Sequence, residues 1–440
     1  MDKTFAGGIH PFYAKELAES KPIEKMPLPA QVTIHLQQHV GSPGKPVVEK
    51  GDEVKLGQII GEADAFVSAY VHASVSGTVL AVEPRLHPTG GEVTAVVIEN
   101  DGQDQWAEGV GPRGDLQNLS SDEIRKIVYE AGIVGLGGGA FPTHVKLTVP
   151  PEKEAHTLII NGCECEAYLT GDHRLMLERP EDIIFGAQAM AKALGAEEII
   201  FGIENNKPDA IEKLRALTKN DSRIKVESLE TKYPQGGEKQ LISSLLDREV
   251  PSGGLPIDVG VIVQNVATAV AVSDAIKHGR PLVERVITVS GPGVKEPKNV
   301  LVRIGTPVAD IIEYAGGFVG TPGKVILGGP LTGIALHDLQ TPICKGTSGV
   351  IVLPREEIQH IEPMACIRCG RCVDACPARL MPVNICKFAQ RDMLKEAEEY
   401  GAIDCIECGS CSYVCPAKIH LLHWILLVKN QILAQRRQQG

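Results

Sequence analysis

Eight of the twelve cysteines in this 440-residue chain fall into two runs with identical spacing. Each run has the form C-x2-C-x2-C-x3-C-P, and the runs begin at Cys366 and Cys405. A run of this form supplies three thiolates to one [4Fe–4S] cube, and its fourth cysteine ligates the other cube. The spacing therefore predicts two clusters with crossed ligation. Cluster 1 is assigned to Cys366, Cys369, Cys372 and Cys415, and cluster 2 to Cys405, Cys408, Cys411 and Cys376.

A zinc or disulfide module is the alternative for a cysteine-rich segment. Zinc sites usually take two ligands from each CxxC pair, whereas here a third cysteine follows at the same step and a proline closes each run. The other four cysteines lack this spacing and are interpreted as buried free thiols: Cys163, Cys165, Cys344 and Cys386. The histidines of the β-rich part also show no metal-ligand spacing: His10, His35, His39, His72 and His87.

A glycine-rich loop, GLGGGAFPTHVK at residues 135–146, is the second candidate site. Its glycines let the backbone approach a flat ring or a phosphate, and Lys146 could place a positive charge near a phosphate. The loop lacks the GK[ST] ending of a Walker A motif, and no strand precedes it as a dinucleotide fingerprint requires. For this loop alone, a plain flexible connection is the alternative.

Three further polar loops occur at corresponding places in the predicted sheet. Residues 161–166 (NGCECE) and 263–268 (VQNVAT) follow strands, and residues 233–238 (YPQGGE) precede a helix. Ligand-contacting loops gather at the carboxyl edge of a parallel sheet. Together with the glycine-rich loop, they predict a site for a flavin-sized ligand.

The elements that position these loops alternate between strand and helix. Ser120 and Glu123 form a capping box at the start of a helix to residue 131. The pattern predicts strands at 157–161, 198–202, 223–228 and 259–263, and further helices at 180–194, 207–218, 238–246 and 266–277. Strands separated by helices of this length indicate βαβ units and a largely parallel sheet, a Rossmann-like α/β domain.

The flanking segments predict a multidomain α/β protein with five regions. Residues 1–110 form an N-terminal segment and a lipoyl-like barrel-sandwich hybrid without a lipoyl group, since the tip at 62–66 lacks a lysine. Residues 115–280 form the α/β domain, 281–360 a β-grasp (SLBB) module with a linking region, 361–418 an α-helical ferredoxin-like domain for both clusters, and 419–440 an amphipathic helix and tail.

Composition narrows the class of function. The net charge is −11 and the pI about 5.7, which argues against nucleic acid as a partner. No secretory leader is recognisable after Met1, and no apolar run reaches the ~20 residues of a membrane span. Cluster-ligating thiols favour a reducing cytoplasm. We therefore expect a peripheral or soluble electron-transfer protein.

The four loops resemble those of the FMN- and NADH-binding subunit of respiratory complex I, whose glycine-rich loop ends in a similar Gly-Phe-Pro-Thr. Over nearly its whole length the chain is similar to the C-subunit family of the Rnf complexes, the ion-translocating ferredoxin:NAD+ oxidoreductases. The same modules follow in the same order: barrel-sandwich, flavin domain, β-grasp module and two-cluster segment.

This resemblance implies cofactor contacts position by position. FMN contacts are implied for Gly135, Gly137, Lys146, Asn161, Glu164, Tyr233, Gly236, Val263, Gln264 and Asn265. NAD(H) contacts are implied for Phe141, Glu166 and Glu238. The chain departs from the complex I pattern at three positions, where Leu136 replaces an arginine, Cys163 an aspartate and Gly237 the first of two glutamates.

The resemblance also implies a function. It implies a subunit at the cytoplasmic face of the cell membrane that exchanges electrons between NAD(H), FMN and two [4Fe–4S] clusters. Its implied partners are other Rnf-type subunits, some of them membrane-embedded, and indirectly ferredoxin. Other subunits would carry the Na+ or H+. No catalytic acid or base is assigned, because the protein's part in the hydride step is orientation and electrostatics.

Two alternatives remain open from the sequence. One is a soluble flavin/iron–sulfur reductase of the cobalamin reductase type, which would lack neighbouring genes for membrane subunits. The other is a non-catalytic electron-wiring scaffold, which would bind neither flavin nor nucleotide.

Overall fold

The computed structural model describes residues 2–358 and 361–439. Residue 360, at the predicted boundary between the third and fourth regions, and residues 1 and 440 lie outside the described residues. Within this description the chain forms four sheets and a helical segment that holds the cysteine runs.

Residues 31–100 contain two small antiparallel sheets that share one core. The first has the order Gln31–His35, Glu92–Asn100, Gly77–Leu86 and Glu53–Val54, and the second has the order Lys45–Pro46, Ile59–Glu62 and Val71–His72. Alternating residues such as Val32 and Ile34 of one sheet and Ile60 of the other are fully buried in that core. The tip near Phe66 contacts the next region, since a His144 ring nitrogen lies 2.9 Å from the Phe66 carbonyl.

The predicted parallel sheet is confirmed. Its strands have the order Ile224–Leu229, Glu198–Glu204, Thr157–Asn161 and Val261–Asn265, and all neighbours run parallel. The helices of this region are Ser121–Glu130, Thr143–Leu147, Gly171–Glu178, Pro180–Leu194, Pro208–Thr218, Glu238–Leu246 and Val266–His278. The capping box at Ser120 and Glu123 is present, with Glu123 N donating to the Ser120 hydroxyl at 3.3 Å.

Two details of this region differ from the prediction. The fourth strand begins at residue 261, not 259, because Pro256–Val259 forms a 3-10 turn that ends at left-handed Gly260. The helix Gly171–Glu178 is not predicted, because its N-cap, Thr170, makes no side-chain capping bond. The carboxylate of Glu164 caps it instead, accepting from Asp172 N at 2.6 Å.

The β-grasp region is part of a six-stranded sheet. Its strand order is Ile23–Lys25, Lys298–Arg303, Glu284–Ser290, Gly349–Pro354, Pro322–Leu327 and Ile334–Leu336. The helix Val308–Tyr314 packs on it through buried Val308, Ile311 and Ile312. The edge strand comes from the N-terminal segment, which contains a 3-10 turn at Lys15–Leu17, and another 3-10 turn at Arg355–Glu357 follows the sheet.

The cysteine runs lie among short helices. These are Arg371–Asp374, Pro382–Ala389, Leu394–Glu399, the 3-10 turn Ala402–Asp404, Ser410–Tyr413 and the long helix Leu421–Gln439. The long helix buries Leu421, Ile425, Val428 and Ile432 against the shorter ones, a helical spacing that makes one face apolar. Within the described residues, none of the helices combines the length and apolarity needed to cross a membrane.

Candidate flavin and iron–sulfur sites

Two asparagines mark the carboxyl edge of the parallel sheet. Asn161 and Asn265 are directly paired across neighbouring strands. Asn265 caps the following helix, with Ala267 N donating to its Oδ1 at 2.8 Å, and its Nδ2 donates to Asp172 at 2.7 Å. The two asparagines therefore lie side by side at the edge of the sheet where a ligand is predicted to bind.

The glycine-rich loop lies over this edge and leaves one side open. Gly135 N donates to the Phe141 carbonyl at 2.8 Å, which closes the loop. A Cβ on Gly137 would come within 3.3 Å of the Asn265 Cβ, whereas one on Gly138 or Gly139 would meet no atom within 4 Å. The middle of the loop therefore presents bare backbone to open space, as approach to a flat ring requires.

Hydrogen bonds to the backbone of Leu136 also hold the glycine-rich loop in place. Leu136, at the position where complex I has an arginine, is buried, and its N–H donates to the Thr268 hydroxyl at 3.0 Å. The buried guanidinium of Arg285 donates to the Leu136 carbonyl at 3.2 Å and to the Lys345 carbonyl. No sequence pattern indicates the Arg285 contact, since 149 residues separate it from Leu136.

Lys146 and Glu238 form an ion pair beside the loop. The Lys146 Nζ lies 2.5 Å from the Glu238 carboxylate and 3.1 Å from the Val263 carbonyl. The two side chains are 28% and 35% exposed, so solvent screens the pair. Lys146 can therefore exchange this carboxylate for a phosphate at modest cost.

Gln264 supplies a buried donor with no acceptor. Its side chain is 3% exposed, and its Nε2 makes no hydrogen bond in the described structure. An unpaired buried amide is costly, so such a group in a native site is expected to have a further partner. Together with the open glycine backbone, this donor fits a flavin whose ring carries hydrogen-bond acceptors.

The loop at Gly236 packs on two thiols, of which Cys163 is buried and Cys165 is partly buried. Asn161 Nδ2 donates to the Gly236 carbonyl at 2.8 Å, and Gly236 N donates to the Cys165 sulfur at 3.3 Å. Burial raises the pKa of both Cys163 and Cys165, which keeps these thiols protonated. Both are free thiols in the described structure and pack against this loop.

Glu164 and Glu166 both bond to protein donors. The Glu164 carboxylate caps the helix Gly171–Glu178, and with burial its charge raises the pKa of Asp172. The Glu166 carboxylate accepts from Leu331 N at 3.1 Å and from Thr332 N at 2.9 Å, and burial raises its pKa. Together with the Thr332 hydroxyl, these donors fill three of the roughly four acceptor positions of the carboxylate, so the ribose contact implied for Glu166 can use the remaining one.

Two buried lysines donate hydrogen bonds to the backbone of the acidic loop at residues 163–169. The sequence predicts neither of these contacts. Lys15 Nζ donates to the carbonyls of Glu164, Glu166 and Leu169 at 2.6, 2.9 and 2.5 Å. Lys207 Nζ donates to the Cys163 carbonyl at 2.6 Å. Lys15 lies 149 residues from Glu164, so no local spacing in the sequence signals the contact.

Tyr233 joins the flavin loops to a cysteine run. The side chain is buried, and its hydroxyl donates to the Cys408 carbonyl at 2.8 Å. It packs with Ile9 and Ala375, and the backbones of Tyr233 and Ile9 exchange hydrogen bonds of 2.9 and 2.8 Å. A residue implied to contact FMN thus touches the polypeptide that carries a predicted cluster ligand.

The cysteines divide into two sets that differ in exposure. One cavity is lined by Cys376, Cys405, Cys408 and Cys411, the set assigned to cluster 2. In the other set, Cys366 and Cys369 are exposed. Burial raises the pKa of Cys372, and the charges of Cys415 and Cys366 raise it further.

The remaining implied residues lie at the same sheet edge. Val263 offers its carbonyl to Lys146, Gly137 contacts Asn265, and Phe141 is half-buried at the end of the glycine-rich loop. The structure thus brings the implied FMN residues together. The two acidic residues implied for NAD(H), Glu166 and Glu238, bond to other protein groups.

Four family models match successive parts of the chain. They are the RnfC barrel sandwich hybrid domain at residues 3–103, the Nuo51 FMN-binding domain at 128–274, the SLBB domain at 286–335 and the 4Fe-4S dicluster domain at 358–416. The chain therefore has an FMN-binding domain and a domain for two [4Fe–4S] clusters, and the predicted fold class is confirmed.

Relatives match over nearly the whole chain. The C subunit of the proton-translocating ferredoxin:NAD(+) oxidoreductase complex of Clostridium ljungdahlii is 49% identical, covering 92% of this chain and 88% of its own length. The C subunit of the Na(+)-translocating complex of Acetobacterium woodii is 48% identical, covering 99% of this chain and 98% of its own. An NAD+-reducing [NiFe]-hydrogenase in the air-oxidised state shares the fold, with a TM-score of 0.50 and 19% identity over 76% of this chain and 68% of that one.

The fold, the loops at the sheet edge and the cysteine runs agree with these matches, so the chain belongs to the RnfC family, the C subunits of the ion-translocating ferredoxin:NAD+ oxidoreductase (Rnf) complexes.

Proposed function

We propose that this chain is the subunit that exchanges electrons between NAD(H), FMN and two [4Fe–4S] clusters in a membrane-bound ferredoxin:NAD+ oxidoreductase that translocates Na+ or H+. The hydrogen bond from Tyr233 to the Cys408 carbonyl carries this proposal, because it joins the flavin loops to a cluster loop directly. When bound, FMN supplies exchange between hydride and single-electron transfer, and the clusters pass single electrons.

The residues at the sheet edge bind and orient. The open backbone at Gly138 lets a flat ring approach, Gln264 offers an unpaired donor, and Lys146 offers a positive charge. Glu238 and Glu166 line the nucleotide side in this assignment. The buried lysines Lys15 and Lys207 hold the acidic loop in place before a ligand binds.

We assign cluster 2 as the cluster nearer the flavin and cluster 1 as the outer one. Tyr233 contacts the loop of Cys408, which lines the cluster 2 cavity. Around cluster 1, Cys366 and Cys369 are exposed, as are the apolar side chains of Met364 and Ile367. Such exposed apolar groups beside a redox centre suit contact with another subunit.

The crossed ligation is tested by a pair of substitutions. Cys376→Ser removes a ligand from cluster 2, and Cys415→Ser removes one from cluster 1, although each residue lies in the opposite run. We expect Cys376→Ser to abolish NADH-driven reduction of the remaining cluster, and Cys415→Ser to leave one NADH-reducible cluster. Iron analysis and EPR after NADH addition measure both.

Cys386→Ser is the matched control, since Cys386 is buried in the same region but lies outside the runs. It should retain both clusters. Loss of a cluster in this control, or identical EPR spectra for Cys376→Ser and Cys415→Ser, would contradict the assignment.

This chain is also expected to work in a complex with other subunits. The relatives are named as subunits of complexes, which supports assembly with other Rnf-type subunits. We propose that membrane-embedded subunits anchor this chain peripherally at the cytoplasmic face, and that ferredoxin is reached through them. Purification of an affinity-tagged chain from native membranes should recover those subunits. Recovery of the tagged chain alone, loaded with flavin and iron, would instead favour a soluble reductase.

A further inference from the structure

Three potential metal ligands meet where the barrel-sandwich contacts the β-grasp region. His35 ends the strand Gln31–His35, His87 follows the strand Gly77–Leu86, and Cys344 lies in the segment between the strands Ile334–Leu336 and Gly349–Pro354. One ligand atom from each lies within 4.8 Å of the others. The trio lies outside both cysteine runs and outside the flavin loops, and the proposed electron transfer does not use it.

His35 and Cys344 lie almost as close together as two ligands of one cation would. The His35 Nδ1 lies 3.9 Å from the Cys344 sulfur, and both side chains are buried. In a tetrahedral zinc site with Zn–N of ~2.0 Å and Zn–S of ~2.3 Å, that separation is about 3.5 Å. A contraction of about 0.4 Å would bring this pair to that distance, and the His87 ligand atom, within 4.8 Å of the other two, would move closer as well.

Hydrogen bonds already orient both imidazoles. The His35 Nε2 lies 3.1 Å from the Leu86 carbonyl, and in the tautomer that donates to this carbonyl Nδ1 is unprotonated and faces Cys344. The His87 Nε2 faces the Gln37 carbonyl at 3.2 Å, and its Nδ1 bonds to Thr89, at 2.7 Å from the exposed hydroxyl and 3.3 Å from the backbone N, so a cation at Nδ1 would replace the Thr89 contacts. Histidines that bind metals usually donate their other N–H to a carbonyl or carboxylate in this way.

We propose that His35, His87 and Cys344 bind one divalent cation of the Zn²⁺ class, with water at the fourth position. Two imidazoles and one thiolate form a ligand set that suits zinc, whereas Mg²⁺ and Ca²⁺ prefer oxygen ligands. On binding, the Cys344 thiol releases its proton to solvent and the thiolate takes the cation. The sequence shows no metal-ligand spacing because the ligands lie up to 309 residues apart.

The cation would fix the segment that carries Cys344. In this segment Lys345 Nζ donates to the carbonyls of Tyr70 and Gly132 at 2.6 and 2.7 Å. A Cβ on Gly346 would lie 3.1 Å from the Cβ of Ala140, at the end of the glycine-rich loop. The site therefore links the barrel-sandwich to a support of the flavin loop.

X-ray absorption at the zinc edge tests the site in the holoprotein, because iron does not contribute at that edge. The protein is incubated with ZnSO₄, passed through a desalting column and analysed for zinc, iron and flavin. We expect about one zinc per chain with two nitrogens, one sulfur and one oxygen as neighbours. Cys344→Ser and His87→Gln should each weaken zinc binding by about tenfold or more while iron and flavin content stay unchanged.

His39→Gln is the matched control, since His39 is a buried imidazole of the same region that bonds to Ala69 N rather than to the trio. It should bind zinc as the unaltered protein does. A shell of sulfur alone would place zinc in vacated cluster sites and overturn the proposal. Failure to retain zinc, or equal zinc affinity in Cys344→Ser, would overturn it too. The spectrum of the unaltered protein decides the matter if a variant does not fold.

Discussion

Lys146→Met is the perturbation that most sharply tests the flavin site. In the structure the Lys146 ammonium lies 2.5 Å from Glu238 and 3.1 Å from the Val263 carbonyl, at the edge where FMN is proposed to bind. Methionine keeps most of the side-chain volume and removes the charge. The substitution also leaves the Glu238 carboxylate without its partner, facing the same space.

The expected loss of FMN affinity follows from these contacts. A hydrogen bond to a charged group contributes about 1.5–3 kcal/mol, and each 1.4 kcal/mol is tenfold in affinity, so Lys146→Met should weaken FMN binding about 10- to 100-fold. The screened ion pair itself contributes ~1 kcal/mol or less, so overall stability should change little. Adding Glu238→Gln to Lys146→Met removes the unpaired negative charge and should restore part of the affinity.

The assay is titration of flavin-depleted protein with FMN, followed by quenching of flavin fluorescence. Iron content is measured on each sample to show that the clusters are intact. Lys239→Met is the control, because Lys239 neighbours Glu238 in sequence and lies instead beside a pocket that includes Arg379 and Asp404. Unchanged FMN affinity in Lys146→Met, or an equal loss in Lys239→Met, would refute the assignment of Lys146 to the flavin.

Three further outcomes are expected. Tyr233→Phe removes one buried hydrogen bond, worth about 1 kcal/mol, and should slow cluster reduction in stopped-flow absorbance while NADH reduces the flavin at an unchanged rate. A slower flavin step with normal transfer onward would contradict this. Burial and the charge of Lys345 lower the pKa of His72 to about 3, so unfolded chains bind the extra proton below pH 6.5 and stability falls as pH falls. Relative to His72→Gln, the unaltered protein should lose about 2 kcal/mol between pH 7 and pH 5 in urea unfolding, and parallel curves would contradict it. Glu166→Gln should raise the KM for NADH about tenfold with FMN content unchanged if Glu166 binds the nucleotide. An equal rise in Thr332→Val would show that Glu166 acts only by holding its loop.

Local patterns in the sequence predict most of the fold. The capping box at Ser120, the strand Thr157–Asn161 and the helix Glu238–Leu246 depend on neighbouring residues, and the structure has all three where they are expected. The helix Gly171–Glu178 escapes prediction because the group that caps it, Glu164, lies outside the short window in which a cap is recognised.

The candidate sites likewise contain both local motifs and contacts between residues far apart in the sequence. The cysteine runs and the glycine-rich loop are local motifs, and sequence alone locates them. The contacts of Lys15 beneath the acidic loop, of Tyr233 with Cys408, and of His35 with Cys344 join residues 149, 175 and 309 positions apart. Only tertiary packing brings such side chains together, so no spacing in the chain could indicate them.

One measurement tests the central claim, the passage of electrons between NAD(H) and two clusters through a flavin in this chain. The as-isolated protein is analysed for flavin and iron and then titrated anaerobically with NADH, with flavin absorbance and cluster EPR recorded on the same sample. We predict about one FMN and about eight irons per chain, with bleaching of the flavin and the appearance of two interacting [4Fe–4S] signals. Zinc in place of iron, or NADH that leaves both flavin and clusters oxidised while dithionite reduces them, would contradict it.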